Sequence, residues 1–139
     1  MVNELKILLV DDDKIMLFLH EMFLKKSGML HDTVLCYNGQ EALSYLDAYQ
    51  SEETTFLVLL DINMPVMSGW QFLEALNTRP YQNRVHVVMV SSAIDESEQQ
   101  KAFTFAQVID YQQKPLSMDL CQSLKQDKTL MKFFTDFTA

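Results

Sequence analysis

The chain has 139 residues, of which 48% are hydrophobic and 22% are charged. This length and balance predict one globular domain with a core of its own, and they exclude an intrinsically disordered chain. Eleven Lys and Arg against nineteen Asp and Glu give a net charge of -8, so we expect no nucleic acid and no membrane surface among its direct partners.

The apolar runs and the two cysteines indicate a cytoplasmic protein. The run FLVLL at 56–60 is far too short to cross a bilayer, and Asp11 interrupts the N-terminal run before it could serve as a signal peptide. Cys36 and Cys121 lie far apart and fit no metal-ligand spacing. We therefore expect two reduced, packed thiols in a cytoplasmic domain.

Five short apolar runs predict five β-strands. Three of them are apolar almost throughout, which is typical of strands buried on both faces of a parallel sheet. The second and fifth runs are less apolar and are expected nearer a sheet edge. In chain order the runs are KILLV at 6–10, HDTVLCY at 31–37, FLVLL at 56–60, VHVVMV at 85–90 and QVIDY at 107–111.

Longer segments between these runs carry helical signals, including Gly28 after the first and a turn pair at the start of the second. Strands that alternate with helices predict an α/β fold, in which helices cover a parallel sheet. The five predicted helices cover 15–26, 38–49, 69–78, 95–105 and 116 onward.

The segment after the fifth predicted helix carries an apolar stripe of its own. Leu130, Phe133, Phe134 and Phe137 have the helical spacing i, i+3, i+4, i+7. Packing against the chain's own domain is favoured over a partner-binding or dimer surface, although the sequence leaves both open. No repeat, low-complexity tract or linker divides the chain. We expect one domain over 1–139, with a core at about 4–127 and a helical tail at 128–139.

Polar side chains follow four of the predicted strands at their carboxyl ends. Ligands of an open parallel sheet bind outside these ends, so the four segments should deliver their side chains to one rim. The residues are Asp11, Asp12 and Asp13 after the first strand, Asp61 after the third, Ser91 and Ser92 after the fourth, and Lys114 after the fifth.

Carboxylates crowded at one point repel one another unless a cation lies between them, which indicates a divalent metal. Mg²⁺ takes oxygen ligands and is typically held by one or two carboxylates together with phosphate oxygens. A carboxylate can also act as a nucleophile and form an aspartyl phosphate. Asp61, alone at the end of the most apolar strand, is the best candidate, and Lys114 and the Ser91 hydroxyl would stabilise the transferred group.

Four motifs in this order resemble the receiver domain of two-component response regulators, of the stand-alone, chemotaxis-receiver-like type. The motifs are LLVDDD, LLDINMPVMSG, VMVSSA and YQQKPL, and the match covers almost the whole chain. Each motif is weak alone, but four at matching spacing are specific. The resemblance implies a flavodoxin-like, doubly wound fold of five parallel strands in the order 2-1-3-4-5, flanked by five helices. The segment AQVIDY lacks the glycine that many receivers have before the fifth strand, which leaves the register of that strand open.

The resemblance also implies a role for each rim residue. Asp61 matches the phosphoacceptor, Asp12 the main metal carboxylate and Asp11 its partner. Asn63 matches the residue whose backbone carbonyl completes the Mg²⁺ shell, to which Asp61 also contributes. Ser91 matches the residue that bonds the phosphoryl group.

Two further positions complete the switch that the resemblance implies. Lys114 matches the family's lysine, and the Lys114–Pro115 bond is expected to be cis. Tyr111 matches the aromatic residue that turns inward in the phosphorylated state, so Ser91 and Tyr111 would carry the switch. The chain would be a signalling receiver that catalyses its own phosphorylation and dephosphorylation, and not an enzyme. Its donor would be a sensor histidine kinase or a histidine phosphotransfer protein, and its downstream protein target is unknown.

The first predicted helix presents more apolar surface than one buried face requires. In the family this helix meets the histidine-bearing domain, so Phe18 or Met22 is a candidate for a docking patch. The alternative, that all its apolar side chains pack inward, is equally open. His20, His31 and His86 show no ligand spacing, and we expect them to be surface or packed residues.

The acidic segment also allows interpretations other than a metal site. For Asp13 an N-cap of the first helix is favoured. A Mg²⁺-dependent phosphatase of the haloacid dehalogenase type would use Asp11 as nucleophile and Asp13 as acid, but it needs an acidic pair after Lys114, where only scattered aspartates follow. A flavin module of the flavodoxin type would need a Ser/Thr/Gly-rich phosphate loop after the first strand, which this sequence lacks.

Overall fold

The computed structural model describes residues 3–29 and 32–134, in which five strands alternate with five helices. His31, which begins the predicted second strand, lies outside the described residues. All five predicted strands are present, at Glu4–Val10 (β1), Asp32–Cys36 (β2), Thr54–Asp61 (β3), Val85–Ser91 (β4) and Val108–Gln113 (β5).

All five predicted helices are also present, at Lys14–Lys26 (α1), Gly39–Tyr49 (α2), Gly69–Leu76 (α3), Glu96–Ala102 (α4) and Met118–Gln126 (α5). α3 and α4 end earlier than predicted, and a threonine follows each end. The hydroxyl and the backbone N–H of Thr78 both donate to the Ala75 carbonyl, and those of Thr104 both donate to the Lys101 carbonyl. These tight turns replace the next helical turn. Within the described ranges, no helix combines the length and apolar character needed to span a membrane.

The sheet is parallel throughout, with the strand order β2-β1-β3-β4-β5. This confirms the predicted doubly wound α/β fold. The chain runs from β1 outward to β2 and then returns to place β3 on the other side of β1. A strand order that reverses in this way opens a crevice at the carboxyl ends of the two central strands, where ligands of such folds bind.

Two hydrophobic cores lie on opposite faces of the sheet, and β3 contributes to both. Val58 and Leu60 belong to the core beneath α2, α3 and α4, whereas Leu57 and Leu59 belong to the core beneath α1 and α5. Alternate residues of a strand point to opposite faces, so an apolar strand of this kind requires helices on both sides. β3 is thereby held at the centre of the molecule.

The pairing of β4 with β5 contains an irregularity. Val87 pairs with Val108, but the next residue of β4, Val88, pairs with Asp110, so Ile109 is an extra residue on β5. The insertion sets the phase of the rest of the strand and brings Tyr111 opposite Met89. β5 covers Val108–Gln113, so it begins one residue after the predicted start at 107 and extends beyond the predicted end at 111.

The described part of the tail packs on the α1 and α5 face of the molecule. Leu130 is fully buried there, and Phe133 and Phe134 pack against the same core. Met131–Phe133 forms a single 3₁₀ turn. These three apolar side chains therefore pack on the chain's own domain, as predicted, and Phe137 lies outside the described residues.

Candidate functional site

The predicted rim residues gather at the carboxyl edge of the sheet. Asp11 directly follows β1, Asp61 ends β3, Ser91 ends β4, and Lys114 directly follows β5. β1 and β3 are paired in register up to the residues that precede the two aspartates. Asp11 and Asp61 therefore emerge side by side, with Lys114 between their carboxylates.

Lys114 forms an ion pair with both of these carboxylates. Its Nζ lies 2.7 Å from Oδ2 of Asp11 and 3.1 Å from Oδ1 of Asp61. Burial lowers the pKa of Lys114, but its hydrogen bonds to Asp11 and Asp61 outweigh that effect and the pKa is raised. The backbone N–H of Lys114 donates to the Ser91 carbonyl at 2.8 Å, and the Lys114–Pro115 bond is cis, as predicted. The ammonium is thus charged and held in place.

The Asp61 carboxyl is costly to ionise in this position. Only 5% of the residue is exposed. Burial is the main cause that raises its pKa to about 6, the negative charge of Asp11 adds to the effect, and Lys114 offsets part of it. Additional positive charge beside Asp61 would favour its ionised form.

Three carboxylates at this edge are close enough to share a cation. One oxygen from each of Asp11, Asp12 and Asp61 lies within 4.8 Å of the others. Asp12 is exposed while the other two are buried, so the cluster opens to solvent on one side. Oxygen donors with an open side for water or phosphate fit Mg²⁺. Asn63 lies exposed in the loop after β3, and its metal contact stays a prediction.

The third aspartate of the acidic segment has a different role. Asp13 is the N-cap of α1, and its Oδ1 accepts hydrogen bonds from the backbone N–H groups of Ile15 at 2.9 Å and Met16 at 3.3 Å. This confirms its predicted capping role. The backbone N–H of Asp13 donates to Oδ1 of Asp11 at 2.9 Å, so the helix cap also orients the Asp11 carboxylate.

The loop after Asp61 folds back tightly onto the end of β3. The backbone N–H of Gly69 donates to the Ile62 carbonyl at 2.8 Å. A Cβ at position 69 would lie 2.6 Å from the Asp61 carbonyl oxygen, so only glycine fits this close approach. Ser68 and Gln71 form a capping box that starts α3 at this point. The backbone beside Asp61 is therefore fixed by the start of α3.

Ser91 and Tyr111, the two predicted switch residues, meet at a carboxylate that sequence analysis missed. Oε1 of Glu98 accepts hydrogen bonds from Ser91 Oγ at 2.9 Å and from Tyr111 Oη at 2.6 Å. Burial, followed by the hydrogen bond to Glu98, raises the pKa of Tyr111. Nothing in the sequence distinguishes Glu98 from the other acids of α4, because its role depends on how α4 packs against β4 and β5.

A buried histidine on α1 supports the segment that follows Lys114. His20 is 3% exposed, and its Nε2 accepts a hydrogen bond from the backbone N–H of Leu116 at 3.2 Å. Burial lowers the pKa of His20 to about 4, although the charge of Asp11 opposes this effect. The imidazole is therefore neutral at pH 7 and can accept. His20 is a packed residue, as predicted, but its partner 96 residues away could not be predicted from sequence.

Comparison with known protein families shows which family has this site. A family model described as the response regulator receiver domain matches residues 7–125. The chain belongs to the response regulator receiver family. The matched range contains the strand-end residues from Asp11 to Lys114, and the resemblance that the four motifs indicate is confirmed. As a receiver, the chain is a signalling domain of two-component systems.

A relative and a solved structure are each similar to this receiver over most of its length. Two-component response regulator 24 of Arabidopsis thaliana is 31% identical over 122 residues, which are 88% of this chain and 82% of that protein. The crystal structure of a two-component response regulator from Cytophaga hutchinsonii covers 94% of this receiver and 98% of its own chain, with a TM-score of 0.81 and 25% identity.

The receiver fold also occurs in a complex of known composition. A chain in the co-crystal structure of the Saccharomyces cerevisiae histidine phosphotransfer protein Ypd1 with the receiver domain of its downstream response regulator Ssk1 matches this receiver with a TM-score of 0.75. The match covers 99% of this chain and 97% of that one at 22% identity. This likeness is one of fold.

Proposed function

We propose that this receiver accepts a phosphoryl group onto Asp61 from a phosphohistidine donor in a Mg²⁺-dependent reaction. The observation that carries the proposal is the Lys114 ammonium, 3.1 Å from Asp61 and beside three carboxylates close enough to share a cation. Asp11, Asp12 and Asp61 would hold Mg²⁺, with the Asn63 carbonyl as a further ligand. The bound ion would supply positive charge for the phosphoryl oxygens.

In the transfer step, an Asp61 carboxylate oxygen bonds to phosphorus as the P–N bond to the donor imidazole breaks. The electron pair of that bond stays on the imidazole, which leaves neutral when its other nitrogen carries a proton. Lys114 compensates the negative charge of the transferred group, and the Ser91 hydroxyl donates to one of its oxygens. Hydrolysis of the acyl phosphate by water later releases phosphate and restores Asp61.

The donor protein is proposed to dock beside this edge of the sheet, against α1. Ile15 and Phe18 are large apolar side chains that are 72% and 64% exposed. A groove of about 200 Å³ lies beside Phe18 and Met22. A histidine kinase or a histidine phosphotransfer protein is the proposed donor, and the yeast complex of Ypd1 with the receiver domain of Ssk1 supports this choice. The response would then pass to a second, downstream protein.

The protein is proposed to act in the cytoplasm as one domain over residues 1–139. Cys36 and Cys121 are both buried and free, which suits a reducing compartment. The net charge of -8 disfavours direct contact with nucleic acid or an anionic membrane.

The haloacid dehalogenase alternative has less support. It requires Asp13 as a general acid, but the Asp13 carboxylate accepts two hydrogen bonds as the cap of α1. It also requires Asp11 as the nucleophile, whereas the receiver family to which the chain belongs would use Asp61.

The proposal is tested by incubating the protein with acetyl phosphate and Mg²⁺ and measuring acid-stable, hydroxylamine-labile phosphate on the chain. We expect wild-type protein to be labelled, and labelling to be lost in Asp61→Asn and in excess EDTA. Asp13→Asn is the matched control and should be labelled, because asparagine also caps a helix. Labelling that persists in Asp61→Asn would contradict the proposal, and a phosphatase that depends on Asp11 would be favoured.

A further inference from the structure

α4 contributes one carboxylate to the space where β4 and β5 end. Glu98, which is half-buried, accepts hydrogen bonds from the Ser91 and Tyr111 hydroxyls on the same oxygen, Oε1. Both of these residues are buried, with 5% of Ser91 and 4% of Tyr111 exposed. The backbone N–H of Asp95 also donates to Tyr111 Oη at 3.3 Å. A single acid therefore links the last residue of β4 to the aromatic side chain of β5.

The Ser91 hydroxyl has one proton to donate. Its acceptors in the structure are the Ala93 carbonyl at 2.7 Å and the Glu98 carboxylate at 2.9 Å. Ser91 follows Val90, which is the β4 partner of Asp61 in the sheet. A phosphoryl group on Asp61 would bring new oxygens to this hydroxyl. Ser91 would have to release its present acceptors in order to bond them.

We propose that Glu98 is a positioning residue that competes with the phosphoryl group on Asp61 for the Ser91 hydroxyl and passes the outcome to α4. The inference rests on the proposed function of Asp61. Transfer of the Ser91 hydrogen bond to the phosphoryl group leaves Glu98 with Tyr111 as its hydroxyl donor and with a new negative charge nearby. Like charges repel, so the α4 segment that carries Glu98 shifts its preferred position.

The chain provides a matched control and an internal signal for this experiment. Glu96 carries the same charge in the first turn of α4 and is exposed, two residues from Glu98. Trp70 on α3 is the single tryptophan of the chain. The Nζ of Lys101 on α4 lies 4.3 Å from the centre of the Trp70 ring. Fluorescence of Trp70 therefore reports a displacement of α4 relative to α3.

The test measures how tightly beryllofluoride, a mimic of the aspartyl phosphoryl group, binds the full chain with Mg²⁺. We expect Glu98→Ala to bind it about tenfold more tightly than wild type, since Ser91 no longer has to leave a charged acceptor. Glu98→Gln can still accept both hydrogen bonds, so its affinity for beryllofluoride should lie between those of wild type and Glu98→Ala. Glu96→Ala should bind like wild type. Titrations are followed by calorimetry and by Trp70 fluorescence.

Ser91→Ala removes the hydroxyl for which the two acceptors compete. In that background, Glu98→Ala should change the affinity by less than about twofold. The inference would be overturned if Glu98→Ala and Glu96→Ala gained equal affinity for beryllofluoride, or if Glu98→Ala gained as much affinity in the Ser91→Ala background. General charge repulsion would then be the cause. Wild-type protein that neither binds beryllofluoride nor takes phosphate on Asp61 would instead overturn the proposed function.

Discussion

At the scale of single residues, the surroundings of Asp61 oppose the ionisation that its proposed role requires. Burial is the largest cause of its raised pKa, Asp11 is the second, and Lys114 compensates only in part. A carboxyl must be ionised to attack phosphorus. Positive charge beside Asp61 would therefore favour the ionised form that its proposed role as nucleophile requires.

The pKa of Asp61 predicts how stability depends on pH when no divalent cation is present. Its pKa of about 6 in the folded chain lies above the ordinary aspartate value of 3.8, so the folded chain binds more protons between these values and loses stability as pH rises through them. We expect Asp61 to lower the free energy of unfolding by on the order of 2 kcal/mol over this range. Urea unfolding of wild type and Asp61→Asn in EDTA measures the difference, because the amide does not titrate.

His20 makes the comparison with Asp61→Asn necessary. Its pKa is lowered to about 4, so its contribution is lost as pH falls from 6.5 and has the opposite sign. The two effects oppose each other in wild type, and subtraction of the Asp61→Asn curve isolates the carboxyl. Mg²⁺ should reduce the difference between wild type and Asp61→Asn in how the free energy of unfolding depends on pH. If the free energy of unfolding of wild type and of Asp61→Asn changed in parallel with pH in EDTA, Asp61 would have an ordinary pKa in the folded chain.

The strand-end residues were predictable from sequence, and their local partners were not. Asp11, Asp61 and Lys114 follow apolar runs, and the ends of parallel strands meet at one edge whatever the exact register. Glu98 and His20 act through side chains that reach across the fold. Their positions depend on helix packing, which local sequence patterns do not encode.

At the scale of secondary-structure elements, the details that the sequence does not predict also depend on contacts between distant segments. The strands are predictable because burial on both faces leaves continuous apolar runs. The early ends of α3 and α4 depend on threonine hydroxyls that bond the preceding turn. The extra residue Ile109 in β5 depends on the fit between two strands, and no glycine or proline marks it in the sequence.

The hydrogen bond from Leu116 to His20 joins α1 to the segment that follows Lys114. We expect His20→Leu to lower the free energy of unfolding by about 1–3 kcal/mol, since it leaves a buried N–H without an acceptor. His20→Gln can present an amide oxygen and should recover part of the loss. The measurements are urea unfolding at pH 7 and hydrogen exchange of the Leu116 amide.

His86→Leu is the control for these variants, because His86 lies near the opposite end of the sheet, in the second position of β4. It should leave exchange of the Leu116 amide unchanged. Equal exchange rates in wild type and His20→Leu would mean that the hydrogen bond does not hold this segment, and that Lys114 is positioned by its ion pairs alone.

At the scale of the whole molecule, the two faces of the sheet are covered by different sets of elements. α2, α3 and α4 cover one core, whereas α1, α5 and the described tail cover the other. Lys125 on α5 donates to the Ser27 carbonyl at 2.7 Å, which ties α5 to the end of α1. The tail then adds Leu130 to this core, so the face that supports Asp11 and Lys114 includes residues beyond the last helix.

This packing predicts that the tail is an integral part of the proposed single domain. Leu130→Ala should lower the free energy of unfolding by about 2–4 kcal/mol, because Leu130 is fully buried and its truncation leaves a cavity. Met131→Ala, in the neighbouring position and 48% exposed, should change it by less than about 0.5 kcal/mol. Urea unfolding of the two variants measures both values. If Leu130→Ala lowered the free energy of unfolding as little as Met131→Ala does, the domain would end with α5 and the tail would not contribute to its stability.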